Sequence, residues 1–299
     1  MQEIIIYGGI FFIITLILGF YWIKIAKKYN TGEQCDPKLY QHKQNTPTIG
    51  GIIILIPLWI FVILFPNSTY FFIMVFATLL FLAGLIDDIA KLKRKNNLGL
   101  TWTQKLILHF FFGIIFCSIF YLTVSKSVPY LIFNVFFFVF FVNAINISDG
   151  LDGLAIGNYI LVLLFLIFAF IFYDNDLLLN FSVILISCSV AFLIFNYNPA
   201  KIFMGDAGAS MLGALLAMLT ILGKLKYFVF IASLFFILEG LSSPIQILSK
   251  KYLKRRIIPS SPLHRTFLLI GFSEKKVVFI SWIFTIICVI IATGLMIYT

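Results

Sequence analysis

Ten apolar runs, each about 17–22 residues long, succeed one another along this chain, cut by short polar or Pro/Gly-rich breaks. Their approximate limits are 3–24, 48–65, 69–87, 105–124, 128–146, 154–173, 177–196, 207–223, 227–248 and 277–298. The hydrocarbon core of a bilayer, about 30 Å thick, takes about 20 apolar residues of helix to cross. No water reaches that layer, so each backbone N–H and C=O must find its partner inside the segment, and a helix supplies one. The pattern predicts an all-α polytopic membrane protein, with about ten transmembrane helices in a single domain, 1–299. The second and third runs are the least separated, with only Pro66-Asn67-Ser68-Thr69 between them.

Composition supports this. The chain is 62% hydrophobic and 11% charged, against about 25% charged in soluble domains. It cannot cover a soluble globule with polar side chains, which excludes a soluble enzyme and a disordered chain. The net charge of +10 does not imply a nucleic-acid partner, because it has no broad water-exposed face to sit on. Of four cysteines, Cys117, Cys188 and Cys288 lie inside apolar runs and Cys35 does not. None forms a C-x-x-C pair, so they read as small hydrophobes rather than a disulfide or zinc framework. The first run is longer than a signal-peptide core and has no small-residue cleavage site, so it reads as the first membrane helix.

The basic residues orient the chain. Taking the connections alternately, 19 of the 22 Lys and Arg fall in segments 24–47, 88–105, 147–153, 197–206 and 249–276. The remainder are Lys126, Lys224 and Lys226. Basic loops stay in the cytoplasm, which puts both termini outside. A wrong number of runs would scramble this alternation. The long loops 24–47, 88–104 and 249–276 share the inner face, so the active site is expected there. Membrane lipid is then the immediate surround, in a multi-pass protein of the cell (inner or plasma) membrane.

Only twelve residues are acidic. Five of them, Asp87, Asp88, Asp149, Asp152 and Asp206, sit at inner ends of runs on three separate segments. Carboxylates near membrane depth are costly and are functional candidates. In GLIDDIAK, Asp87 and Asp88 lie at a helix C-terminus, where the dipole disfavours anions. Either the nearby Lys91, Lys93, Arg94 and Lys95 compensate them as a solvated loop, or a divalent metal with a phosphorylated substrate does. In NAINISDGLDGLAIG, Asn143 and Asn146 lie one turn apart before Asp149 and Asp152; Asp152 is also expected to N-cap the sixth run. In NPAKIFMGDAGAS, Asp206 precedes the eighth run among glycines, either as an N-cap or as a metal ligand beside an anion site. Three carboxylate segments on one face, without a His/Cys cluster, suggest an oxygen-ligand site for Mg²⁺ and phosphoryl transfer.

These residues resemble a known family. NTPTIGG at 45–51, GLIDDIAK at 84–91, NAINISDGLDGLA at 143–155, NPAKIFMGDAGAS at 198–210 and SPLHRTFLLIGFSEKKVV at 261–278 are similar to blocks of the polyprenyl-phosphate N-acetylhexosamine-1-phosphate transferases. The likeness runs from about residue 36 to 280 and is strongest to the phospho-N-acetylmuramoyl-pentapeptide-transferase (MraY) type. It implies ten membrane helices, termini outside and a cytoplasmic active site. The implied reaction transfers phospho-MurNAc-pentapeptide from UDP-MurNAc-pentapeptide to polyprenyl phosphate, such as undecaprenyl phosphate, releasing UMP. It proceeds by direct attack or through a covalent enzyme intermediate. The resemblance implies Mg²⁺ on Asp206 with Asn146, and Asp87 and Asp88 as base or electrostatic partners for the attacking lipid phosphate. Asn146, Asp149 and Asp152 would line the nucleotide-sugar pocket, and Phe203 would stack on uracil near Asn196 and Asp152. Lys43, Gln246, His264 and Arg265 match further substrate positions, and a homodimer is implied. Lys43, Lys91 and Lys105 would add positive potential near the anions.

The chain departs from the pattern in the histidine block. Three consecutive histidines of the family read here as His264, Arg265 and Thr266. Leu268 replaces a glutamate, and Asn45 stands where glycine is usual. A lone histidine in a basic loop is ordinarily solvated, and Arg265 keeps a cation that cannot shuttle protons. These changes bear on the sugar rather than the metal, so a related transferase using UDP-GlcNAc or another UDP-amino sugar is the alternative. An ion-coupled transporter would carry its acids at midplane rather than at the inner ends, and an inactive scaffold would not need all of Asp87, Asp88, Asp149 and Asp206.

Overall fold

The computed structural model describes residues 2–29, 32–33, 46–94, 99–124 and 127–299. Lys43, Asn45 and Cys35 lie outside these residues. Among the described residues the fold is all-α apart from two short antiparallel strands, β1 (Gly32–Glu33) and β2 (Thr46–Pro47). The helices are α1 (Gln2–Lys28), α2 (Ile52–Leu64), α3 (Ser68–Arg94), α4 (Trp102–Val124), α5 (Val128–Ser148), α6 (Leu154–Phe172), α7 (Asp176–Asn196), α8 (Gly205–Leu222), α9 (Lys226–Ala232), α10 (Leu234–Leu248), α11 (Leu263–Leu269) and α12 (Glu274–Tyr298). Each of the ten predicted runs falls on a helix or, for the ninth, on a helix pair.

Among the described residues, eight helices are long and apolar enough to cross a membrane, or nine if a bent pair counts as one span. Two of the ten runs therefore differ from simple spans. The second yields only the 13 residues of α2, about 20 Å of helix, short of a 30 Å core. Residues 46–51, just before and at the start of that run, bond elsewhere: Phe203 N–H donates to Pro47 O at 2.7 Å, and Gly50 and Gly51 N–H donate to Phe203 and Met204 O at 2.9 and 3.1 Å. The ninth run breaks at Ser233, where α9 meets the helix that continues through α10 into a π-helical turn at Ser249–Leu253, at 79°. Hydropathy measures the length of an apolar run and is blind to such a bend.

The core centres on α8, buried from Ala207 to Ile221. α3 and α5 pack along it. Small residues allow the close approach, as between membrane helices generally. A methyl on Gly84 of α3 would collide with the Asp206 and Ala207 backbone of α8. The peripheral helices α1, α4 and α12 expose Ile5, Ile13, Phe20, Ile107, Phe111, Phe279 and Ile290. That much apolar exterior belongs against lipid, and the molecule is a polytopic membrane protein. Cys117, Cys188 and Cys288 are free and buried.

Candidate active site

The close packing of α3 on α8 brings three carboxylates together. One ligand oxygen from each of Asp87, Asp88 and Asp206 lies within 4.8 Å of the others. Asp87 and Asp88 end the apolar part of α3 and are buried. Asp206 sits in the first turn of α8, with 13% of its side chain exposed. Gly205 before it has φ 76°, a backbone region that glycine enters without penalty. That turn aims the start of α8 at Asp88, whose Oδ1 and Oδ2 accept the backbone N–H groups of Asp206 and Ala207, both at 3.0 Å. Asp88 thus caps α8 from a neighbouring helix, the role open to Asp206 from its position in the chain.

Two lysines balance the charge. Lys91 Nζ lies 2.5 Å from Asp206 Oδ2 and 3.0 Å from Asp87 Oδ2. Lys105 Nζ, from the first turn of α4, lies 2.8 Å from the same two oxygens. Lysine compensation of the aspartate pair is therefore real, though through Lys91 and Lys105 in a buried cluster rather than a solvated loop. Leu100 N–H donates to Asp87 Oδ1 at 2.5 Å, tying the α3–α4 loop to the same group. Asn146, near the end of α5, donates from Nδ2 to Asp206 Oδ1 at 2.6 Å. Asn143 does not join it; its Oδ1 contacts His109 Nδ1 at 3.2 Å and its Nδ2 donates to Val139 O.

Among the described residues, three carboxylates against two ammoniums leave an excess of negative charge. Every donor is a hard oxygen, the set that Mg²⁺ or Ca²⁺ prefers. Asp87 Oδ2 is buried and makes only ion contacts, without a directed hydrogen bond. Asp206 is partly exposed, so a ligand can reach it. The residues fit a divalent cation on Asp206 and Asp87. Asp88 has both oxygens committed to α8, and Asn146 presents its N–H₂, so its amide must turn over before its oxygen could ligate.

The remaining predicted residues form two further groups. Asp152 is buried; its Oδ2 accepts Ala200 N–H at 3.0 Å and Asn198 Nδ2 at 3.2 Å. It does not N-cap α6, whose cap is Gly153 at φ 77°. Asn196 spends its amide inside the protein: Oδ1 accepts Gly153 N–H at 3.0 Å, and Nδ2 donates to Ile202 O at 2.9 Å. These bonds hold the 197–202 loop against the α5–α6 turn; Phe203, which follows the loop in sequence, and Asp149, which follows α5, are each half-buried.

In the second group Gln246 is likewise committed, with Nε2 on Ile258 O at 2.9 Å and Oε1 accepting Ile257 and Ile258 N–H at 3.2 and 3.1 Å. It holds the loop before α11. Arg265 is exposed. His264 is not solvated, as a lone histidine in a basic loop would be; it is 1% exposed and paired with Glu239 of α10. Glu239 falls within the ninth apolar run, 227–248, and a carboxylate at that depth is itself a signal of function. Thr48 was passed over; its hydroxyl is buried without a hydrogen-bond partner, near Gly205. Lys43 lies outside the described residues.

Comparison with known proteins follows the same residues. The family model for glycosyl transferase family 4 matches residues 70–224, which contain the whole carboxylate cluster. The chain is 34% identical to a phospho-N-acetylmuramoyl-pentapeptide-transferase of Anoxybacillus flavithermus over 94% of each chain. It is 35% identical to one of Staphylococcus carnosus, over 91% of this chain and 92% of the relative. A third, from Dictyoglomus turgidum, is 37% identical over 95% and 94%. The chain belongs to glycosyl transferase family 4 and, within it, to the family of the phospho-N-acetylmuramoyl-pentapeptide-transferases.

Proposed function

We propose that this chain is a membrane transferase that moves phospho-MurNAc-pentapeptide from UDP-MurNAc-pentapeptide to a polyprenyl phosphate, the lipid I step of peptidoglycan synthesis. The observation that carries it is the cluster of Asp87, Asp88 and Asp206 with Lys91 and Lys105, in a chain whose relatives of nearly equal length bear that enzyme's name. A lipid phosphate oxygen attacks the β-phosphorus of the UDP-sugar; its bond to UMP breaks, and a lipid-linked pyrophosphate forms.

Both reactants are anions and must meet. Mg²⁺ held by Asp206, with Asp87, would neutralise the pyrophosphate and stabilise the leaving UMP. With such an ion on these carboxylates, Lys91 and Lys105 would be free to add positive potential for the phosphate oxygens. Asp87 is the group to keep the attacking lipid phosphate deprotonated, and Asp88 holds α8, hence Asp206, in place. Asn146, Asp149 and Asp152 border the donor sugar-nucleotide, with Phe203 offering its ring to uracil and Asn196 shaping the loop beneath it. Gln246 shapes the 257–258 loop, while Lys43, His264 and Arg265 contact the donor. We assign one domain, ten membrane crossings (counting the short α2 as one and the bent α9–α10 pair as one) with the termini outside and the cluster at the cytoplasmic face of the plasma membrane, and a homodimer in the bilayer. The basic residues support the orientation, with 19 of 22 on one set of loops.

The test is UMP release by purified protein given polyprenyl phosphate, Mg²⁺ and either UDP-MurNAc-pentapeptide or UDP-GlcNAc. UMP with the first donor is expected. UMP with UDP-GlcNAc alone would replace the donor assignment, and none with either, from folded protein, would overturn the reading.

A further inference from the structure

His264 opens α11, and Glu239 lies midway along α10; both are buried, at 1% and 2% exposure. The carboxylate grips the histidine twice. Oε1 accepts the His264 backbone N–H at 2.9 Å, and Oε2 lies 3.1 Å from ring Nδ1. A carboxylate can only accept, so the ring proton belongs on Nδ1. In the neutral ring, Nε2 then carries the lone pair. Nε2 is buried and, among the described residues, has no hydrogen-bond partner. It faces Gly150, where any side-chain carbon would collide with it. Gly150 is half-buried in the α5–α6 turn between Asp149 and Asp152. A buried acceptor left unmet is unfavourable, and a ligand bringing a donor to this point would relieve it.

We propose that Glu239 is a positioning residue: it fixes His264 in the Nδ1–H tautomer and so holds Nε2 as an acceptor, beside the Asp149–Asp152 turn, for a hydroxyl or amide N–H of the donor sugar. The identity of that ligand rests on the transferase reading above; the tautomer does not. Glutamine at 239 would invert the arrangement with little change of shape. The His264 backbone N–H needs the amide oxygen, which turns the N–H₂ toward Nδ1 and drives the ring proton onto Nε2. The acceptor becomes a donor.

The experiment uses the full chain in lipid nanodiscs, labelled with ¹⁵N-histidine. There are three histidines, and the His264 signals are assigned by their loss in His264→Asn. Unprotonated Nε2 is expected in the wild type and protonated Nε2 in Glu239→Gln. A protonated Nε2 in the wild type, or no change in the variant, overturns the assignment. In the UMP assay, Glu239→Gln and His264→Asn should each lower kcat/KM by roughly 10- to 100-fold. The asparagine keeps a donor toward Glu239 and removes Nε2 with the far edge of the ring. The double variant should be no worse than the poorer single, since both act through one atom. Additive losses, or a Glu239→Gln enzyme within twofold of wild type, overturn the positioning role. Wild-type protein with the expected tautomer but no turnover of any UDP-sugar would support the role of Glu239 and overturn the transferase reading alone.

Discussion

Lys105→Met removes one of the two ammonium groups that balance the acidic cluster and keeps the apolar stem. Lys105 Nζ sits 2.8 Å from both Asp87 and Asp206, so its loss leaves three carboxylates facing Lys91 alone. Deleting one partner of a buried ion pair costs about 3–5 kcal/mol. With 23% of the Lys105 side chain exposed, solvent screens part of this, and about 3 kcal/mol is the fitting figure. At roughly 2 °C per kcal/mol for a chain of this size, that is a fall of about 6 °C in unfolding midpoint. A divalent cation on the same oxygens would supply the missing charge. Binding at a hundredfold excess over Kd stabilises by about 2.7 kcal/mol, and the variant's more negative site should gain more than the wild type's. The assay is thermal unfolding of both proteins in detergent, first in chelator and then in excess Mg²⁺. The gap should close from about 6 °C to about 2 °C or less. A gap that Mg²⁺ leaves unchanged, or widens, would refute the view that lysine and metal compete for one carboxylate site.

Asp206→Asn should lower kcat by about 10²–10³-fold; activity within a few-fold of wild type, measured as UMP release, would end its role as metal ligand. Gly84→Ala puts a methyl against the backbone of Asp206 and Ala207 and should cost about 1–3 kcal/mol, read as a lower unfolding midpoint; an unchanged midpoint would contradict the close approach of α3 and α8. Arg265→Ala should raise KM for the UDP-sugar and leave kcat within a few-fold, because Arg265 is exposed and remote from the carboxylates in the chain. A fall in kcat at constant KM would place it in the chemistry instead.

The helices and the carboxylate cluster were legible in the sequence because both follow from local rules. Apolar length reports a span, and carboxylates at span ends stand out against a chain with twelve acids. Partnerships across the fold were not legible. Asp88 reads as half of an acidic pair, yet it caps α8; the cap depends on Gly84 and Gly205 bringing two distant segments into contact. Asn196 and Gln246 read as pocket amides, yet each spends its amide on backbone groups of a nearby loop. Residues with free hydrogen-bonding capacity and residues that have used it look identical in a sequence. Glu239 was visible as an acid inside a span, but its partner lies 25 positions on, at the start of α11, beyond a loop whose path no periodicity predicts.

The most direct measurement follows a phosphorus atom. Wild-type protein in liposomes containing polyprenyl phosphate is given UDP-MurNAc-pentapeptide carrying radiolabel in its β-phosphate, with Mg²⁺. The label should move into the lipid phase in step with UMP appearing in water, stop on chelation, and fail to move in Asp206→Asn. Label that stays in water, or that moves equally well without a divalent cation, would contradict the assignment of this carboxylate cluster to metal-assisted phosphosugar transfer.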